Sequence, residues 1–163
     1  MLRCAVFLAL AFLVGCSDES DDDIGESYVT ARGVLTPFGR SDTFDITLTG
    51  NACERLGWVS VRSRDGRSVV VFNPNAPVDV GTFVMQSDAN SGPVGWLNTS
   101  AAAASVTTIR GTTLITSVTA NEVRGAVDWA ASEALIDVPP DPANGEVVIR
   151  GTFRAVRIHD DSC

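Results

Sequence analysis

The sequence predicts an all-β domain, an antiparallel sandwich or barrel-like sandwich of eight to ten strands with little helix. Three observations carry this. Short runs rich in Val, Ile, Thr and Phe recur along the chain, separated by Gly, Asn, Asp and Pro. Phe44, Ile46 and Leu48 alternate with Asp45, Thr47 and Thr49, the two-residue period of a strand with one buried and one wet face. Asp65-Gly66 between valine-rich runs, and Asn144-Gly145 after the stiff Pro139-Pro140-Asp141-Pro142, are turn signals.

In order, the expected strands are Tyr28–Thr36, Thr43–Thr49, Trp58–Ser63, Ser68–Phe72, Thr82–Gln86 and Val94–Asn98. They continue with Ser105–Arg110, Thr113–Thr119, Glu122–Ala130 and Glu146–Ile158. Asn51 and Glu54 have the spacing of a helix capping box, with Gly57 as a stop, so one helical turn is expected to present Cys53. Asp128 to Leu135 has helical propensity, but reads better as the end of a strand plus a loop. The glycines of Gly81-Thr82-Phe83, Gly125-Ala126-Val127 and Gly151-Thr152-Phe153 each precede alternating apolar residues, the pattern of a bend or bulge.

Before this domain lies a different kind of sequence. Arg3 precedes an apolar run from Ala5 to Val14, about 15 Å as a helix and roughly half a bilayer core. Too short to span, it has the form of an export signal. It ends in Leu13-Val14-Gly15-Cys16, which resembles the lipobox of bacterial lipoproteins. That resemblance implies cleavage before Cys16 and attachment of lipid to its sulfur, membrane lipid being the first partner. Ser17 stands where inner-membrane members often carry Asp, which points to the outer membrane. The Gly-Thr-Phe pattern in the later half also resembles small all-β lipoproteins to which no activity attaches.

The division is therefore a signal at 1–15, the lipidated cysteine with an acidic tether at 16–26, and one domain at 27–163. Six of the chain's 20 acids lie in Ser17 to Glu26. That segment is polar and self-repelling, and cannot bury enough apolar surface to fold alone. The domain keeps the other 14 acids against 11 arginines, a net of −3, with no lysine and no basic cluster. Nucleic acid is excluded as a partner on that balance.

Cys4 leaves with the signal and Cys16 carries lipid, so Cys53 and Cys163 remain. A pair in an oxidising compartment is expected to form a disulfide closing about 110 residues, which the chain-entropy model values at roughly 4 to 5 kcal/mol. His159 stands beside Asp160 and Asp161, but one histidine with adjacent acids is not a metal motif. No catalytic residue, metal ligand or cofactor is assigned. Asp128 with Glu133 or Asp45 would be the acids of a small hydrolase, a pairing that distance alone decides. Trp58, Trp96 and Trp129 are candidate ligand platforms for a glycan, against the plainer reading that they pack in the core. The expected function is that of a non-enzymatic envelope lipoprotein, structural or interacting with another envelope protein. The alternatives are a carbohydrate-binding module using the tryptophans and a small hydrolase.

Overall fold

The computed structural model describes residues 27–36, 41–73, 78–87, 92–99, 105–133 and 140–158. Ten strands run through them: β1 (Ser27–Leu35), β2 (Asp42–Gly50), β3 (Ala52–Arg55), β4 (Trp58–Arg62) and β5 (Ser68–Asn73). They continue as β6 (Gly81–Val84), β7 (Val94–Thr99), β8 (Val106–Val118), β9 (Glu122–Glu133) and β10 (Gly145–Arg157). Among the described residues the only helical piece is a 3-10 turn, Pro142–Asn144, capped by the Asp141 side chain and closed by Gly145.

Seven strands close into a barrel in the order β10-β3-β4-β5-β7-β8-β9 and back to β10. A ring of seven cannot alternate direction all the way round, so one pair must run parallel. That pair is β3 with β10, Ala52 to Glu54 against Ala155 to Arg157. The expected all-β barrel-like fold is thus present, with one parallel seam in an otherwise antiparallel ring.

The three remaining strands follow from unequal lengths. β8 and β10 have 13 residues each, about 43 Å of strand, whereas β3 has four and β7 six. β3 pairs only with the last residues of β10, and β7 only with Val106 and Thr107 of β8. The bare remainder of each long edge is taken by another strand. β1 pairs with Gly145 to Thr152 of β10 and in turn carries β2, while β6 pairs with Thr112 to Ile115 of β8. Covering those edges satisfies backbone groups that would otherwise invite aggregation.

The interior is built by alternation. Val29, Ala31 and Leu35 of β1, Val59 and Val61 of β4, Val70 and Phe72 of β5, and Ile149, Phe153 and Ala155 of β10 all point inward and are buried. At the centre, Phe72 meets Trp129 and Phe153 edge-on, with ring centroids 5.8 and 5.1 Å apart. Two glycines make room for these rings. A Cβ at Gly95 would lie 2.6 Å from Trp129 Cη2, and one at Gly125 would lie 2.6 Å from Phe153 Cζ.

Four local expectations need correction. Asn51 to Glu54 is not a helical turn but leads into β3, because Ala52 to Arg55 pairs with both β4 and β10 and those ladders outweigh a capping signal. Residues 105–119 form one strand rather than two, since Gly111, at φ +129, passes directly under Trp129 without breaking the strand. The register shifts lie on β8, between Thr108 and Arg110 and between Ile115 and Ser117, and not at Gly125 or Gly151. The Asp65-Gly66 hairpin exists but is wider than two residues. Ser63 and Ser68 still bond across it, and the Ser63 hydroxyl and then the Arg67 amide hold the Asp65 carboxyl below its ordinary pKa.

Candidate functional site

Six adjacent strands, β6-β8-β9-β10-β1-β2, present one continuous outer face, about 24 Å across at the usual strand spacing. Register lines up its side chains in rows. One row runs Thr82, Leu114, Ala126, Thr152, Tyr28 and Thr49. The next runs Val84, Thr112, Asp128, Arg150, Thr30 and Thr47. Five of the seven exposed large apolar side chains among the described residues, Tyr28, Val34, Val84, Leu114 and Val156, stand on this face, and Val80 directly precedes its edge strand.

The charges between them are held in ion pairs that largely cancel. Arg150 Nε donates to Asp128 Oδ1 at 2.8 Å, and Arg32 lies 3.2 Å from Asp45. The Arg110 guanidinium donates to both oxygens of Glu146, which raises its own pKa further. Toward the β8–β9 turn, Glu122 accepts from Arg124 and from Arg154, and those two hydrogen bonds hold its carboxyl below the ordinary range. Such exposed pairs add little stability. Their effect is to leave a face that offers methyls, hydroxyls and one phenol with almost no net charge.

The tryptophans divide. Trp129 is 1% exposed in the core, its indole N–H without a partner, so it cannot meet a ligand from solvent. Trp58 and Trp96 are half-buried and point outward from β4 and β7, since their neighbours Val59, Gly95 and Leu97 point inward. Their rings meet across β5, with centroids 5.0 Å apart and planes tilted by 51°. Two rings so close and so tilted cover each other rather than offering one flat platform.

The acids considered for hydrolysis are not brought together. Asp128 points outward into its ion pair, whereas Glu133, an odd number of residues along the same strand, is buried on the inner side opposite Val106. Asp45 sits three strands from Asp128, roughly 14 Å, well beyond the separation of a glycosidase pair. Among the described residues, no three His, Cys, Asp or Glu are grouped to hold a metal ion. Cys16, His159 and Cys163 lie outside the described residues. Cys53 is on β3 facing outward beside Val156, with its Sγ 3.0 Å from Ser60 Oγ.

Sequence reasoning missed Glu54. It is 4% exposed, and its two oxygens accept from the Gly57 amide and from Arg157 Nε, both at 2.8 Å. The Glu54-Arg55-Leu56-Gly57 spacing was the available signal, but it reads equally as the end of a helix. No helix among the described residues is long and apolar enough to cross a membrane. No known protein family, curated protein or solved structure matches the chain.

Proposed function

We propose that this chain is a lipid-anchored protein of the cell envelope, tethered at Cys16, that works by binding another protein through the outer face of β6, β8, β9, β10, β1 and β2. The observation that carries the binding surface is the spread of exposed Tyr28, Val34, Val84 and Leu114 among ion pairs that neutralise one another. Apolar side chains gathered on one face and left in water favour a partner that buries them. A face without net charge suits a protein surface better than a phosphate backbone or an anionic lipid.

Cys53 bonded to Cys163 belongs to the same reading. β10 runs beside Cys53, and the Ile158 amide donates to the Glu54 carbonyl at 3.0 Å. Five residues more, at most about 18 Å of chain, reach Cys163. The bridge would hold the closing seam of the barrel.

A photo-crosslinking residue at Tyr28, in the lipidated chain within living cells, tests the surface. One discrete adduct is expected, lost when Leu114→Asp is added, and absent with the probe at exposed Arg67 on the far β4–β5 turn. No adduct from Tyr28, or the same adducts from both positions, would reject the surface.

A second reading keeps a glycan as the ligand. It is favoured by the outward placement of Trp58 and Trp96 and opposed by their mutual packing. Saccharide titration of tryptophan emission separates the two, because the protein-binding reading expects no change.

A further inference from the structure

The β3–β4 hairpin turns on Leu56 and Gly57, with φ of +53° and +86°. Positive φ at both central residues is the form of a tight two-residue turn whose usual occupants are Asn, Asp and Gly. Leucine there is an outlier for a bulky side chain. It is also 82% exposed, more than any other large apolar side chain described. Neither backbone preference nor core packing accounts for a leucine at this tip. An outlier of this kind points to function.

Its neighbours and position say which function. The tip reads Arg55-Leu56-Gly57-Trp58, a cation, an apolar side chain and an indole, the side chains that settle at a membrane–water interface. β3 runs parallel to β10, so the tip projects past Arg157 at the end where β10 finishes. β1 runs opposite to β10 and starts from that same end, Tyr28 lying level with Thr152. Along the strands the tip is about seven residues beyond Tyr28, roughly 23 Å. Residues 17–26 of the tether span up to about 36 Å. β1 therefore begins at the end of the barrel that carries the tip, and a chain of that length before it is long enough to let the tip reach the membrane that would hold Cys16.

We propose that the Arg55–Trp58 tip is a second, shallow membrane contact, Leu56 entering the headgroup boundary of the bilayer. This rests on the lipid-anchor reading. With the tip down, the long strands rise from the membrane and their outer face is turned sideways, open to a partner.

The test uses the full lipidated chain reconstituted into phosphatidylcholine vesicles, with and without bromine on the acyl chains. Vesicle flotation reports the anchor and tryptophan emission reports the tip. Wild type is expected to float and to lose emission in brominated vesicles. Leu56→Asn should float equally and lose at most about half as much, with a thermal midpoint no lower than wild type because Asn tolerates this backbone. Floating wild type with equal emission in both vesicles overturns the proposal, as does undiminished quenching in Leu56→Asn. Wild type that fails to float, or Cys16→Ser that still floats, removes the anchor reading and this proposal with it.

Discussion

Glu54 and Arg157 tie the first closing strand of the barrel to the last. Arg157 Nε lies 2.8 Å from Glu54 Oε2, while the other carboxylate oxygen takes the Gly57 amide inside the β3–β4 turn. The same arginine reaches the Thr119 carbonyl at 3.1 Å, and its backbone amide donates to the Asn121 carbonyl. One buried carboxylate thus joins the turn, the parallel seam and the β8–β9 turn.

Glu54→Gln keeps the shape but removes the charge that holds Arg157. A half-buried guanidinium then loses its counter-charge, and the Gly57 amide keeps only a neutral acceptor. Breaking one side of such a pair costs roughly 2 to 3 kcal/mol. A lower urea midpoint with an unchanged slope is expected. A midpoint equal to wild type would mean the seam does not depend on this pair.

Gly95→Ala drives a methyl to within 2.6 Å of Trp129 Cη2 and 2.9 Å of Cζ3 in a filled core. Overpacking of this kind costs roughly 1 to 3 kcal/mol. Trp129→Phe deletes those two ring atoms. The double variant should therefore lose less stability than the two single losses added, and strict additivity would show that the contact is not the cause.

Acid should act partly through Glu122. Its carboxyl is held below the ordinary value, first by the hydrogen bond from Arg124 and then by that from Arg154. A lowered folded-state pKa stabilises above the unfolded-chain value of about 4.3, and that contribution is lost as pH falls through the folded value. Wild type and Glu122→Gln should thus differ most near neutral pH, with the gap narrowing as the pH falls below about 4. A constant gap from pH 7 to pH 3 would contradict the assignment.

Leu56→Asn places a residue that visits positive φ routinely in a turn built for it. The relief is about 1 kcal/mol, seen as a raised thermal midpoint of the barrel. A lowered midpoint would show that Leu56 packs usefully within its own chain.

Much of this protein was written in local pattern. The alternation of Phe44, Ile46 and Leu48 placed β2, and the Val-, Ile- and Thr-rich runs placed most other strands within a residue or two, because the faces of a strand follow from neighbouring residues alone. The all-β class followed from the same signal. The proposed lipid anchor also rests on local pattern alone, the four consecutive residues Leu13 to Cys16.

What the tertiary structure decided involves partners far away in sequence. Ala52 to Arg55 became a strand because β4 and β10 offered it ladders on both sides, the second from a segment a hundred residues later. Trp129 went inside and Trp58 outside, although both follow strand-like patterns, since only the barrel sets which face of each strand is enclosed. The exposed row from Leu114 through Tyr28 to Thr49 is invisible in any window of sequence. It exists because the register of five long strands fell in line, and register is settled by burying every strand's apolar face at once.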